Sequence, residues 1–304
     1  MRETVVEKIK RLKEEKNAVI LAHYYVPEEV QAIADYVGDS FYLAKVAKSS
    51  AADVLLFCGV SFMGESAKIL NPTKTVLMPD LAADCPMAHM VAPGKIAEMR
   101  RTYPDLAVVC YINSTAALKC ESDVCVTSSN AVQIVRALAA NNIFFIPDRN
   151  LGRYVAEQVP EKNIILNDGC CPIHARIAAE ELRAAKEAHP NAPVLSHPEC
   201  EEEILALSDY IGSTADIIAY AARSEAEEFI VCTEDGVAFK LENDNPGKRF
   251  FFPTTRPLCP DMKLNTLERI LHSLETGEGE VFVDEETRLR ALLPLDRMLE
   301  LAKR

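Results

Sequence analysis

The sequence predicts an α/β fold made of three homologous α/β/α sandwich units whose parallel sheets lie around a pseudo-threefold axis. Two observations favour this fold. Apolar runs of four to seven residues, rich in Val, Ile, Leu and Phe, alternate with helical patterns, which is typical of parallel strands covered by helices on both faces. The dipeptide Cys-Pro occurs three times, at Cys85, Cys171 and Cys259, with separations of 86 and 88 residues.

Four strands recur in one frame within each unit. The first strands are "VILAHYY", "VVCYINS" and "PVLSHPE", and the second strands end at "YVGDS", "CVTSS" and "YIGST". The third strands are "VLLFCGV", "IFFIPDR" and "FIVCTED", and the fourth, "TVLMPD", "NIILND" and "RFFFPT", each lead into a Cys-Pro. The predicted units are residues 1–85, completed by C-terminal helices at 260–304, then 86–171 and 172–259.

The charge and hydrophobicity of the chain limit the kinds of molecule that the protein is expected to bind. The chain has 304 residues, 46 of them acidic and 33 basic, and its net charge of −13 disfavours nucleic acid and anionic membrane surfaces. No segment approaches the roughly 18 apolar residues of a membrane span, and the N-terminal stretch reads as a charged amphipathic helix without a signal-peptide core. We therefore expect a cytoplasmic protein that acts on small molecules.

The ten cysteines point to metal or redox chemistry more than to disulfides. Cys58, Cys110, Cys125 and Cys232 lie inside apolar runs and are predicted to pack in the core. No CxxC occurs, which argues against a zinc ribbon or a ferredoxin-type cluster loop.

Polar residues follow the predicted strands at their carboxyl ends, where open α/β sheets bind ligands. After the first strands these are His23 and Tyr25, Tyr111 and Asn113, and His197 and Glu199, and after the second strands Ser40, Ser128, Ser213 and Thr214. His174 lies three residues beyond Cys171. Packing of the units about a pseudo-threefold axis, with these ends inward, would gather them in one cavity.

The three Cys-Pro cysteines follow the fourth strands, so their thiolates would converge on the same cavity. Three thiolates on a soft metal centre leave one position open for a substrate. A four-iron cluster and a Cys₃ zinc site both remain open on the residues alone. Cys171 shares the Cys-Pro frame, whereas Cys170 is predicted to be a bystander.

The alternatives are another cluster-dependent hydro-lyase, a zinc-dependent aldolase, or a cluster-carrying redox or iron sensor without turnover. The repeated polar strand ends count against the sensor, because a sensor needs only the cluster and a responding surface.

A set of motifs is spread over almost the whole chain: "ILAHYY", "IADYVGDS", "KILNP", "CPMA", "YINST", "TSSNAV", "PDRNLGRYVA", "CPIH", "HPEC", "IGST" and "CPDMKLNTLERILHSL". Together these motifs resemble the quinolinate synthase family of bacterial and archaeal NAD biosynthesis. The resemblance implies a transferase that condenses iminoaspartate with dihydroxyacetone phosphate and then loses phosphate and two waters to form quinolinate. It also implies a functional link to an aspartate oxidase or dehydrogenase that supplies iminoaspartate.

The resemblance further implies a [4Fe-4S] cluster and so selects it over zinc. One iron of the cluster would stay open as a Lewis acid, and Cys85, Cys171 and Cys259 match the cluster ligands. The matched catalytic residues are His23, Tyr25, Tyr111, His174, His197 and Glu199. The matched substrate-binding residues are Ser40, Asn113, Ser128, Ser213 and Thr214.

Overall fold

The computed structural model describes residues 3–303, and one order of elements occurs three times along them. The first repeat contains α1 (Val5–Glu15), β1 (Ala18–His23), α2 (Glu28–Ile33), β2 (Tyr36–Gly38), α3 (Ser40–Ser49), β3 (Val54–Cys58), α4 (Ser61–Leu70) and β4 (Thr75–Leu77). The second contains α5 (Lys95–Thr102), β5 (Leu106–Tyr111), α6 (Ala116–Cys120), β6 (Val124–Val126), α7 (Ala131–Ala137), β7 (Asn142–Ile146), α8 (Arg149–Gln158) and β8 (Asn163–Leu166).

The third repeat contains α9 (Ala179–Ala188), β9 (Val194–Ser196), α10 (Glu202–Leu205), β10 (Tyr210–Ile211), α11 (Thr214–Arg223), β11 (Glu228–Cys232), α12 (Val237–Asp244) and β12 (Arg249–Phe251). Two further helices follow, α13 (Leu267–Thr276) and α14 (Glu285–Leu301). A short 3-10 helix comes shortly after each Cys-Pro cysteine, at Pro86–His89, His174–Arg176 and Met262–Leu264.

Each repeat contributes a four-stranded parallel sheet with the same strand order. The orders are β2-β1-β3-β4, β6-β5-β7-β8 and β10-β9-β11-β12, so the first strand of every repeat lies between the second and the third. Helices lie between consecutive strands along the chain, as parallel connections require. The predicted α/β fold of three α/β/α units is confirmed.

The central strands are buried because helices cover both faces of each sheet. In β1, β3, β5 and β7 every residue but the first is buried, which explains why these strands read as unbroken apolar runs. The four cysteines predicted to lie in the core, Cys58, Cys110, Cys125 and Cys232, are all fully buried. This prediction is confirmed.

Polar side chains fix where the helices begin. Thr4 and Glu7 form a capping box at α1, and Ser213 and Asp216 form another at α11. Asp39 and Asp148 cap α3 and α8 by accepting backbone N–H groups in the first turn. The caps of α3, α8 and α11 lie within two residues of a strand end, so they also set the position of the loops that carry the predicted site residues.

The chain divides into two compact units. One contains the chain up to Ala88, Ile112–Cys125 and the chain from Pro260, and the other contains His89–Tyr111 and Val126–Cys259. In the first unit α1 packs against α13, while α14 packs against α4 and α6. The boundaries 1–85, 86–171 and 172–259 stay a prediction. Within residues 3–303, no helix combines the length and the apolar character that a bilayer crossing requires.

Candidate active site

Three predicted site residues hold one register position in the three sheets. The first and third strands of the repeats end their pairing at Ala22–Cys58, Cys110–Ile146 and Ser196–Cys232. The next residue along each first strand is His23, Tyr111 or His197. The alignment of the three first strands that the sequence predicts, with His23, Tyr111 and His197 at equivalent positions, therefore agrees with the observed pairing of the first and third strands.

The residue two positions further along holds the histidine ring in two of the repeats. The backbone N–H of Tyr25 donates to Nδ1 of His23 over 3.2 Å, and the backbone N–H of Glu199 donates to Nδ1 of His197 over 3.3 Å. A nitrogen that accepts a hydrogen bond carries no proton, so in the neutral ring the proton lies on Nε2. Both imidazoles are thereby fixed in the tautomer that presents Nε2–H as a donor.

His174 connects three polar side chains within the second compact unit. Its Nδ1 lies 2.8 Å from Oε2 of Glu199 and 3.2 Å from Sγ of Cys171, and its Nε2 lies 2.9 Å from Oγ1 of Thr233. The ring is 1% exposed. The ligand atoms of Cys171, His174 and Glu199 lie within 4.8 Å of one another, so these three residues form a candidate metal-binding group.

His197 packs on this group through its ring. The rings of His174 and His197 are stacked, with centroids 4.8 Å apart and an interplanar angle of 30°. Burial lowers the pKa of His197 to about 3, although the Glu199 carboxylate pulls it upward. His197 is therefore neutral at neutral pH, which agrees with the tautomer that its backbone contact requires.

Glu199 is the buried carboxyl group of this set. Burial opposes its ionisation, but His197, His174 and the Tyr111 hydroxyl outweigh that effect and lower its pKa to about 2. The side chain is almost completely buried, and among the described residues Oε1 has no hydrogen-bond partner. Glu199 is thus an ionised carboxylate with one oxygen held by His174 and the other available to a ligand.

The Cys-Pro cysteines differ from the core cysteines in exposure. Cys85, Cys171 and Cys259 are partly exposed, whereas Cys58, Cys110, Cys125, Cys200 and Cys232 are buried. Burial raises the pKa of the Cys232 thiol to about 12, and it also raises the pKa of Cys58 and Cys200. No disulfide joins any of the ten cysteines, all of which lie within the described residues.

The donor set fits a soft or borderline metal centre. Accessible thiols, an imidazole and a carboxylate with an unpartnered oxygen are the ligands that such metals take in proteins. Cys171 and Cys259 both lie in the second compact unit, and Cys85 lies in the first. The convergence of all three on one metal centre stays a prediction.

The predicted hydroxyl and amide residues lie at strand ends, as the repeat implies. The strand register aligns Ser40 with Thr214, because Gly38 and Gly212 follow equivalent positions of β2 and β10. Ser40 lines a small cavity together with Phe57, Phe62 and Ile112. Ser128 lies in the turn before α7, and Ser213 lies at the start of α11. Asn113 lies just after β5, and its buried Oδ1 has no hydrogen-bond partner among residues 3–303.

The hydroxyl of Ser213 is engaged within the protein. Its Oγ donates to Oδ2 of Asp216 over 2.6 Å and in turn accepts the backbone N–H of Asp216 over 3.2 Å. The side chain is completely buried. In the structure Ser213 is the N-cap residue of α11, and its direct contact with a substrate stays a prediction.

The second compact unit contains Tyr111, Cys171, His174, His197 and Glu199, and interactions within the unit join these five residues. Ser128, Ser213, Thr214 and Cys259 also belong to it. The first unit contains His23, Tyr25, Ser40, Cys85 and Asn113. There the rings of His23 and Tyr25 meet edge to face at 4.5 Å, and Lys263 donates to the carbonyl oxygen of Tyr25 over 2.7 Å.

Sequence reasoning missed several residues that hold this site. Nδ2 of Asn150 donates to the carbonyl oxygen of Glu199 over 3.0 Å, and Thr233 contacts His174. Oδ2 of Asp148 accepts the backbone N–H of Cys171 over 2.9 Å. The signal that could have found them is their place directly after the third strands, in "PDRN" and "TED".

The comparisons with known proteins agree on one family. The model of the family described as Quinolinate synthetase A protein matches residues 7–300. A protein of Fusobacterium nucleatum named quinolinate synthase is 54% identical over 296 residues, which cover 97% of this chain and 99% of that protein. Proteins of the same name from Clostridioides difficile and Caldicellulosiruptor saccharolyticus are 50% and 49% identical, and each alignment covers at least 97% of both chains.

Proposed function

Because this chain belongs to the quinolinate synthetase A family, we propose that it condenses iminoaspartate with dihydroxyacetone phosphate to form quinolinate in NAD biosynthesis. The single observation that carries the chemistry is the group of Cys171, His174 and Glu199, in which a partly exposed thiol meets a buried imidazole and a buried, ionised carboxylate within 4.8 Å. The proposal includes loss of phosphate and two waters. An aspartate oxidase or dehydrogenase would supply iminoaspartate, and the reaction would take place in the cytoplasm.

We further propose that Cys85, Cys171 and Cys259 hold a [4Fe-4S] cluster with one iron open. When bound, such a cluster supplies a Lewis acid that polarises an oxygen of the substrate. The partial exposure of these three cysteines, against the burial of five others, supports their role as ligands. The recurrence of a 3-10 helix shortly after each of them gives the three loops a shared local structure.

The protein's own groups account for the movement of protons. Glu199 is ionised, and among the described residues its Oε1 has no hydrogen-bond partner, so this oxygen is positioned to accept a proton from a substrate carbon or hydroxyl. A pKa of about 2 makes the carboxylate a weak base, so the proton that it takes must first be acidified by polarisation of the neighbouring substrate oxygen. His197 is neutral, its Nδ1 accepts a backbone N–H, and its Nε2–H donates to a substrate oxygen. In His174, Nδ1–H donates to Glu199, and Nε2 accepts from the Thr233 hydroxyl.

Condensation and dehydration need this combination of groups. A base must remove the proton that enolisation releases, and a donor must stabilise negative charge on the oxygen. We propose that Tyr25 and Tyr111 assist as hydroxyl donors and that Ser40, Asn113, Ser128, Ser213 and Thr214 bind the carboxylates and the phosphate. Donors of this kind are needed because the net charge of −13 repels anionic substrates.

A second candidate is a mononuclear zinc enzyme, such as an aldolase or a hydro-lyase. The observation that favours it is again the mixed set of Cys171, His174 and Glu199, which has the number and type of ligands of a catalytic zinc site. A mononuclear site of this composition needs neither Cys85 nor Cys259. The two candidates therefore differ in which cysteines they require.

Anaerobic purification followed by metal analysis and a quinolinate assay tests the proposal. We expect about four iron and four sulfide per chain. Cys85→Ser, Cys171→Ser and Cys259→Ser should each lose the cluster and the activity, while Cys120→Ser, a change of a partly exposed cysteine outside the Cys-Pro set, should keep both. One zinc per chain, with loss of metal in Cys171→Ser alone, would establish the second candidate instead.

A further inference from the structure

A buried carboxylate holds the backbone of two of the three Cys-Pro cysteines. Oδ2 of Asp148 accepts the N–H of Cys171 over 2.9 Å, and Oε1 of Glu234 accepts the N–H of Cys259 over 2.9 Å. Asp148 is fully buried and Glu234 is 1% exposed. Carboxylates are seldom buried so completely, and the bonds that they accept must offset the cost of removing them from water.

The second oxygen of each carboxylate binds the start of a helix. Oδ1 of Asp148 accepts the N–H of Leu151 in the first turn of α8 over 2.7 Å, and Oε2 of Glu234 accepts the N–H of Gly236 at the start of α12 over 2.7 Å. Both side chains therefore bridge a helix start and a Cys-Pro loop. A helix cap alone needs only one oxygen and no burial.

The bridge occurs at one position of the repeat. Asp148 and Glu234 are each the second residue after the third strand of their repeat, β7 or β11. In both repeats the next residue donates its N–H to the carbonyl oxygen two residues before the cysteine. These bonds run from Arg149 to Gly169 over 2.7 Å and from Asp235 to Pro257 over 3.0 Å.

The first repeat retains the backbone bond but not the carboxylate. Ser61 donates its N–H to the carbonyl oxygen of Ala83, two residues before Cys85, over 2.8 Å. The position of the carboxylate is taken by Val60, whose side chain contains no acceptor. The carboxylate bridge is thus an addition to a shared backbone scaffold, made in the repeats of Cys171 and Cys259.

Close packing also contributes to the position of the Cys171 loop, beside the carboxyl bridge. A Cβ on Gly169 would lie 2.7 Å from the carbonyl oxygen of Pro147, and Nδ2 of Asn167 donates to that same oxygen over 2.8 Å. Burial and a neighbouring carboxylate raise the pKa of Asp148, while the backbone N–H bonds that its carboxyl group accepts oppose that rise. The two bonds to one buried carboxyl group, together with this packing, restrict the direction in which the Cys171 side chain leaves the backbone.

We propose that Asp148 and Glu234 are positioning residues, which hold the Cys171 and Cys259 loops in their metal-binding conformation before the metal arrives. This inference rests on the proposed role of these cysteines as cluster ligands. Pre-ordered ligands bind a metal more tightly, since the cost of ordering the loop is met when the chain folds. The inference concerns the retention of the metal, and it assigns neither carboxylate a contact with substrate.

Asp148→Asn and Glu234→Gln test the inference in protein freed of metal. Each amide keeps the size of the side chain but has one acceptor oxygen, so one of the two N–H groups loses its partner. Hydrogen–deuterium exchange, measured on fragments that contain Cys171 and Cys259, should become about tenfold faster or more in the fragment of the altered repeat only. Asp148→Ala and Glu234→Ala, which remove both acceptors, should show at least the same change.

The matched control is Asp284→Asn. Asp284 caps α14 by accepting the N–H of Thr287 over 2.9 Å, so this variant repeats the chemical change at a helix start outside the Cys-Pro loops. Exchange in the two cysteine fragments should match the wild type. Unchanged exchange of the Cys171 fragment in both Asp148→Asn and Asp148→Ala would overturn the inference for that repeat, and the Glu234 pair decides the other repeat in the same way.

Iron retention in the loaded protein gives the second measurement. Release of iron to an excess of a ferrous chelator should be about tenfold faster or more in Asp148→Asn and Glu234→Gln than in wild type or Asp284→Asn. If wild type binds iron and sulfide but the variants release iron at its rate, the positioning role is wrong and the cluster proposal stands. If wild type binds no iron, the proposed function itself fails, and the inference fails with it.

Discussion

Replacing Glu199 by glutamine should separate catalysis from stability. The substitution keeps the shape of a side chain that is 3% exposed but removes its charge. In the wild type, Oε2 lies 2.8 Å from Nδ1 of His174 and 3.5 Å from Nδ1 of His197. The change therefore weakens one short hydrogen bond, that from His174, since the unprotonated Nδ1 of His197 donates nothing to the carboxylate.

The two effects on stability oppose each other. A hydrogen bond to a charged group contributes about 1.5–3 kcal/mol and a neutral one about 0.5–1.5 kcal/mol, so the weaker bond costs about 1 kcal/mol. The neutral amide is also easier to bury than the carboxylate, which offsets part of that loss. We expect the free energy of unfolding of Glu199→Gln to stay within about 1 kcal/mol of wild type.

The effect on turnover should be far larger. Glutamine cannot accept a proton from a substrate, and loss of a general base reduces rates by about 10²–10⁴. The assay is anaerobic quinolinate formation from both substrates, with iron content and urea unfolding measured on the same preparation. Glu201→Gln is the control, because Glu201 lies two residues after Glu199 in the same loop and forms an ion pair with Arg149. This variant makes the same chemical change outside the group of His174, His197 and Glu199. Turnover of Glu199→Gln within tenfold of wild type, at equal iron content, would refute the assignment of Glu199 as the base.

Three further outcomes are expected. Cys170→Ser should keep the iron and Cys171→Ser should lose it, as measured by iron content and visible absorbance; the reverse result would shift the ligand by one residue. Gly169→Ala should lower the free energy of unfolding by about 1–3 kcal/mol in urea, because its Cβ would meet the Pro147 carbonyl oxygen at 2.7 Å. In metal-free protein, His197 has a pKa of about 3 when folded against 6.5 when unfolded. Between these values the unfolded chain binds the extra proton, so the urea midpoint should fall from pH 7 to pH 5, and less in His197→Gln.

Much of the fold is predictable from the sequence because parallel strands buried on both faces have a simple signature. The runs "VLLFC" of β3 and "NIFFI" of β7 contain no solvent-facing alternation, and each is followed by a helix start. The nearly constant spacing of Cys-Pro, 86 and 88 residues, then indicates the frame of the repeat. The shared strand order of the three sheets follows from that repetition.

The sequence is less informative about the contacts of the site. Glu199 and His174 lie 25 positions apart, and only the fold reveals that their side chains meet at 2.8 Å. Asp148 and Glu234 escaped notice for another reason. Each reads locally as an ordinary acidic residue beside a helix start, and the hydrogen bond to a cysteine 23 or 25 residues later leaves no local signal.

The backbone N–H that binds Nδ1 of His23 and of His197 has a consequence for the side-chain variation that the repeats tolerate. An imidazole whose Nδ1 is occupied by a main-chain amide is a fixed dipole, which stabilises an oxyanion without first being charged, as a neutral histidine electrophile does. This amide belongs to the residue two positions after the histidine, so the hydrogen bond to the ring does not depend on the side chain of that residue. The side chain at that position is a tyrosine in the first repeat, Tyr25, and a glutamate in the third, Glu199, yet the main-chain contact to the ring is the same. A contact made by the main chain therefore leaves the side chain at this position open to change without loss of the ring's orientation.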